Sequence, residues 1–215
     1  MTGVADPIDV VEFTEDEIRA AVEAARDFGT YVAVHSYNSE GVRRSLEAGV
    51  LSIEHGNLMD EKTMKLLVDK GAFWVPQTWA DETYLKQGLK KAQIVKDGTA
   101  VTMKLAKKHG AKVVFGTDLL FDLEQRKTQL QELVARKEFF NSAEIMVQAT
   151  GNAGELLALS GKRNPYGKLG VVETGAMADL LIYGQNPLED VAIAADPEKH
   201  LKFIMKDGKI HKNTL

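Results

Sequence analysis

The sequence contains no cysteine. Disulfides, thiolate metal sites and cysteine nucleophiles are thereby excluded, and a reducing, cytoplasmic setting is expected. Long apolar runs are also missing, since nothing approaches the roughly 18 residues that a membrane-crossing helix requires. The opening stretch MTGVADPID has neither the basic nor the apolar region of a secretory signal, so none is expected. Positive charge is not in excess. With 27 basic and 31 acidic residues the formal net charge is -4, which leaves no electrostatic footprint for nucleic acid. The lysine pairs at Lys90–Lys91 and Lys107–Lys108 read as solvated helix faces. No G-x-S-x-G elbow surrounds Ser36, and the glycines at Gly151 and Gly154 match neither a dinucleotide nor a phosphate-loop fingerprint. What remains, at 44% hydrophobic and 27% charged over 215 residues, is an ordinary globular chain able to bury a sizeable core.

Its organisation is readable from local signals. Thr14 and Glu17 form a capping box ahead of Ile18, Ala21, Val22 and Ala25, and Gly29 stops that helix. The short run TYVAVHSY is too brief for a helix and reads as a buried strand. A helix capped by Ser39 follows and ends at Gly49, then a strand VLSIEHG. A third helix is capped by Asp60 and stops at Gly71. AFWVPQTW is the third strand, the stretch 81–97 is polar and partly helical, and a helix closing on Gly110 leads into the strand AKVVFGTD. Alternation of this kind predicts parallel βα units. Strands are expected near 31–35, 51–54, 72–76 and 112–116. After Asp118 two consecutive helices run to Gly161. From about Asn164 the texture becomes short strands broken by glycines, with a hairpin turn at Lys206–Gly208. The expected division is therefore 1–163 and a small β appendage, 164–215.

The strand ends carry the chemistry. The first ends on His35, the second on His55, the third near Gln77 and the fourth on Asp118. Parallel βα architectures bind ligands at such ends. A lone histidine is more often a satisfied imidazole than a ligand, but two imidazoles and a carboxylate at three strand ends suit zinc or a similar divalent ion. His109 is explained by a helix C-terminus, and His200 and His211 are expected to face solvent. Tyr37, Gln77, Thr78 and Trp79 follow strand ends and are expected to line a pocket.

Taken in order, YVAVHSY, SIEHG and VVFGTD resemble the strand-five, strand-six and strand-eight motifs of the amidohydrolase superfamily, in its imidazolonepropionase-like and Xaa-Pro dipeptidase branch. The tail GKLGVVETGAMADLLIYGQNPLEDV with FIMKDGKI is similar to that superfamily's closing segment. The resemblance implies a (β/α)8 TIM-type barrel with one or two divalent metals, usually zinc, that hydrolyses amide-type bonds of a small-molecule or dipeptide substrate. His35 and His55 match its metal-binding histidines, Asp118 the aspartate that meets the metal and moves the proton, and Tyr37 a position that can face substrate.

The superfamily's H-x-H strand and bridging lysine strand have no counterpart in this sequence, which reads as the C-terminal half of such a barrel, about four βα units plus part of a β-sandwich. A metal-dependent hydrolase and a non-catalytic fragment or pseudoenzyme serving assembly are both open. A half barrel is expected to leave Val32, Val34, Ile53 and Val114 without covering strands. Company is therefore expected: an N-terminal half in trans or a second copy, in a family that often forms homo-oligomers.

Overall fold

The computed structural model describes residues 7–78, 85, 90–119 and 123–215. Helix α1 (Glu15–Phe28) opens on the capping box, with the Glu17 carboxylate accepting from the Thr14 N–H at 2.8 Å, and closes at Gly29 with φ of 80°. Strand β1 (Ala33–Asn38) and helix α2 (Ser39–Ala48) follow, then β2 (Ser52–Leu58), α3 (Glu61–Asp69), β3 (Phe73–Val75), α4 (Lys90–His109) and β4 (Lys112–Val113). The cap of α2 is Asn38, whose Oδ1 accepts from the Gly41 N–H at 2.8 Å. Ser39 is engaged elsewhere: its hydroxyl donates to Leu58 O and accepts from the Asp60 N–H, tying the ends of β1 and β2 together.

The four strands form one sheet in the order β1-β2-β3-β4, parallel throughout, with Val34 opposite Ile53 and Ile53 opposite Trp74. Strands β1 and β2 run past the two histidines to Asn38 and Leu58, whereas β4 stops at Val113. The early stop has a cause. The Phe115 N–H donates to Gln148 O, in helix α6 (Ser142–Ala149), so the chain leaves the ladder there.

Alternation divides the sheet's two faces. Val34, Ile53, Trp74 and Val113 meet Val42 and Leu46 of α2, Met64 and Leu67 of α3, and Met103 and Ala106 of α4, making the main core. On the other face Phe73, Val75 and Val114 are covered by Leu156 and Ala153 of α7 (Gly151–Ala158), with Tyr31 and Leu159 beside them. The expected exposure of the inward apolar residues therefore fails. Ile53 is 0% and Val114 4% exposed, and Val32 and Val34 pack against the main core. Ile53 faces the helices, and α7 folds back over Val114. Each such side chain fully buried stabilises by about 1.5–3 kcal/mol.

The tail forms a second, antiparallel sheet of β5 (Leu180–Tyr183), β6 (Leu201–Lys206) and β7 (Lys209–Asn213). Asp207 and Gly208 take φ of 51° and 72°, the paired left-handed residues of a tight hairpin. Val171 and Val172 lie outside any strand and are exposed. Residues 164–215 do not stay apart from the rest: Val191 and Ala194 return to the main core. Among the described residues no helix is long and apolar enough to cross a membrane.

Candidate active site

Strand β2 poses a geometric problem. In the ladder His35 is opposite Glu54 and Ser36 opposite His55. Strict alternation would therefore send His55 to the helix side, away from His35. Instead the two imidazoles are edge to face, with ring centroids 4.2 Å apart. His55 and Gly56 both take left-handed backbone, φ 69° and 56°, and the β1–β2 register shifts just beyond this point. The kink re-aims the imidazole onto the face that carries His35. It is braced from behind: the Trp74 indole donates to His55 O at 2.5 Å, and a Cβ on Gly56 would stand 2.8 Å from that indole nitrogen. Further along, the Asn57 side chain donates to Thr99 Oγ1 and the Thr102 hydroxyl to Asn57 O. Helix α4 can approach this closely because Gly98 has no side chain; a Cβ there would lie 2.7 Å from Asn57 O.

Around the kink the predicted residues assemble. The Tyr37 ring stacks on His55 at 4.7 Å and meets His35 edge-on at 5.4 Å, and Lys91 Nζ lies 5.2 Å from the Tyr37 ring centre. Burial pushes both imidazoles down to about 4. At His35 the neighbouring His55 adds to the effect and Asp118 opposes it; at His55 the Gln77 side chain opposes it. Burial also holds the Asp118 carboxyl above its ordinary range, against the pull of His35. Asp118 is the second non-glycine site residue in left-handed backbone, φ 50°. A cleft of about 320 Å³ runs along β1, between it and residues 7–13, and reaches His35, Tyr37 and Asn38.

Of the remaining predicted residues, Gln77 turns its amide inward, Nε2 donating to Val75 O at 2.9 Å. The Thr78 N–H donates to Glu132 Oε2 at 2.8 Å, and its hydroxyl is buried with no hydrogen-bond partner among the described residues. Trp79 lies outside the described residues. Sequence reasoning missed three groups. Glu54, opposite His35, is an inner-face carboxyl raised by burial and bonded by Ser52; the strand pairing alone could have exposed it. Lys91 depresses both histidines. Glu132 and Arg136 form an ion pair with no side-chain exposure, and their spacing of four on a helical pattern is the only local sign of it.

Two neutral imidazoles and a carboxylate are the right donors for a borderline divalent ion. They are a partial set. Among the described residues, no three His, Cys, Asp or Glu side chains come close enough together to hold a metal ion.

Comparison with known proteins follows the same lines. The amidohydrolase family matches residues 1–212. A prolidase solved in complex with N-methylphosphonate-L-proline superimposes with a TM-score of 0.89 at 34% identity, over 99% of this chain and 53% of its own. A Xaa-Pro dipeptidase with methionine bound in its active site gives 0.84 at 31% identity, over 99% and 52%. Ochratoxinase of Aspergillus niger is 26% identical over 210 residues, covering 94% of this chain and 42% of its own length. The chain thus spans about half the length of these proteins, and holds about half of their barrel fold. A match across almost the whole sequence, on a parallel sheet with histidines gathered toward the C-terminal ends of its strands, places this chain in the amidohydrolase family.

Proposed function

We propose that the chain contributes His35, His55 and Asp118 to a metal-dependent hydrolase of amide-type bonds, of the Xaa-Pro dipeptidase kind, working in the cytoplasm. One observation carries the reading. His55 and Asp118 are two of the three non-glycine residues in left-handed backbone among the described residues. Such strain costs about 1–3 kcal/mol per residue and concentrates at functional sites. Here it turns one imidazole toward another instead of making a tighter core. His35 and His55 are the residues that would hold the ion, zinc in particular, with Asp118 beside them. A divalent ion in such a site lowers a water's pKa towards roughly 7 and polarises a carbonyl. Asp118, its carboxyl raised by burial, accepts the proton of the attacking water and returns it to the leaving nitrogen as the C–N bond breaks. Tyr37, Gln77 and Thr78, with Trp79 outside the described residues, are the residues assigned to the substrate side.

A partial ligand set gives weight to the second reading, a non-catalytic piece that serves assembly. The resemblance places further ligands on an H-x-H and a lysine that this sequence does not carry. The active form then requires those ligands from another segment or chain. Metal analysis and Xaa-Pro dipeptide hydrolysis, on the chain alone and with such a partner, separate the two readings. Asp118→Asn is the decisive variant, because asparagine tolerates left-handed backbone better than most residues. It is expected to keep the unfolding midpoint and abolish turnover. Wild-type protein that is folded, zinc-loaded and partnered, yet inert, would leave the assembly reading standing.

A further inference from the structure

We propose that Lys91 gives this site a carboxylate-binding subsite: its ammonium, set over the Tyr37 ring, receives the free C-terminal carboxylate of a dipeptide whose amide bond lies against His35 and His55. The inference deepens the proposed function and rests on it. A lysine at this place is not explained by the helix that carries it. Helix α4 packs through Val95, Thr99, Thr102 and Ala106, a buried stripe at spacings of three and four. Lys91 stands one turn before Val95, at the head of that stripe, and is half-buried. The helix's other lysines, Lys90, Lys96, Lys104, Lys107 and Lys108, are exposed. The Lys90–Lys91 pair is therefore not one solvated face: Lys90 is wet and Lys91 turns inward. An apolar side chain would suit the packing better, since withdrawing a lysine from water costs both entropy and solvation.

The ammonium has a defined place. About two turns further along α4, the Asn57 amide donates to Thr99 and the Thr102 hydroxyl to Asn57 O, pinning the helix to the end of β2. Lys91 Nζ lies 5.2 Å from the centre of the Tyr37 ring, whose face holds a cation there. That ring in turn stacks on His55 at 4.7 Å. A dipeptide extends over about 7 Å, so its carboxylate can meet the ammonium while its amide bond reaches the imidazoles. The charge of Lys91 is felt at both histidines, which it helps to hold neutral. The other cation near the strand ends is committed to the protein. Arg136, just after helix α5 (Gln131–Ala135), pairs with buried Glu132 and donates to Pro76 O at 2.6 Å and Gln148 Oε1 at 2.8 Å. Arg136 thus fixes the strand-three end, and the substrate's carboxylate falls to Lys91.

The test separates the subsite from the chemistry. The metal-free full chain is titrated with alanyl-proline and with alanyl-prolinamide, which carries an amide in place of the carboxylate. Amide shifts of Tyr37 and Lys91 report binding, and with no ion present a carboxylate preference cannot come from a metal. Wild type is expected to bind alanyl-proline about tenfold more tightly, the size of one charge-assisted hydrogen bond. Lys91→Gln is expected to abolish that preference and Lys91→Arg to keep it. Lys90→Gln, at the exposed neighbour, is expected to leave it unchanged. If Lys91→Gln does not fold, Lys91→Met replaces it, since it keeps the apolar stem. No preference in wild type, or a preference that survives in a folded charge-free variant, overturns the inference. Hydrolysis of both compounds is followed separately, with zinc and a complementary partner present. Lys91-dependent binding without turnover keeps the subsite and removes the hydrolase reading. Turnover with a KM for alanyl-proline indifferent to Lys91 keeps the hydrolase reading and removes the subsite.

Discussion

At the scale of single residues, the site rests on backbone that its own side chains do not favour. Left-handed φ at His55 costs about 1–2 kcal/mol relative to right-handed backbone, and Gly56 beside it extends the turn at no such cost. The glycine is needed twice over, for its φ of 56° and for the 2.8 Å that would separate a Cβ from the Trp74 indole. Gly56→Ala is accordingly expected to destabilise the chain by about 2–3 kcal/mol, as strain and contact add. Urea unfolding followed by tryptophan fluorescence reads both the midpoint and the disturbed Trp74 environment. A midpoint equal to wild type would mean that the kink relaxes freely, and the bracing of His55 would have to be sought elsewhere.

At the scale of elements, helix α4 decides the position of the end of β2. Gly98 lies inside that helix, where alanine would ordinarily gain about 1 kcal/mol. The 2.7 Å approach to Asn57 O reverses the sign, because forcing an extra carbon into a close-packed contact costs about 1–3 kcal/mol. Gly98→Ala is expected to lower the thermal midpoint and to move the His55 ring resonances. The same helix is tied to α3 at its other end, where Glu61 meets Lys108 at 2.8 Å and His109 at 2.9 Å. Those bonds, Lys108 first, pull the Glu61 carboxyl from 4.5 to about 2. A depressed carboxylate adds stability above its unfolded pKa and loses it as pH falls through the folded one. Between pH 4.5 and about 2 the wild type should thus lose more thermal stability than Glu61→Gln, by a margin that added salt shrinks. Equal acid sensitivity in the two proteins would remove Glu61 from the account. Elements of this kind were legible in the sequence because their signals are local: Thr14, Asp60, Gly29 and Gly49 stand where a cap or stop is needed. The grouping of His35, His55 and Tyr37 was half legible, since strand ends could be counted. The turn that brings His55 round was not, because a left-handed histidine has no compositional mark beyond the glycine after it. Glu132 and Arg136 escaped notice because their partners Thr78 and Pro76 are 54 and 60 residues away.

At the scale of the whole molecule, the parallel sheet is open. Among the described residues β1 pairs with β2 alone and β4 with β3 alone. The short β4 is met by the Asn152 amide on Val113 O and by Gln148 O on the Phe115 N–H, so it is β1 that offers backbone donors and acceptors as a template for another strand. The inner face is divided: Phe73, Val75 and Val114 are covered by α7, while the part bearing His35 and Glu54 is polar and half-buried. Association is therefore expected through the β1 edge more than through an uncovered apolar face. Light scattering across a concentration series should show self-association or capture of a complementary segment, with slower amide exchange along β1 in the complex. A monomer at every concentration, with β1 amides already protected, would argue that the segment 7–13 closes that edge by itself. The buried pair also has a temporal consequence. Arg136 and Glu132 reach back across 60 and 54 residues to the strand-three end, and a chain emerging from the ribosome makes its N-terminal portions first. Both histidines are thus synthesised well before the groups that hold their surroundings in register. A chain that has not yet reached Arg136 has its imidazoles but lacks the groups that hold the strand-three end.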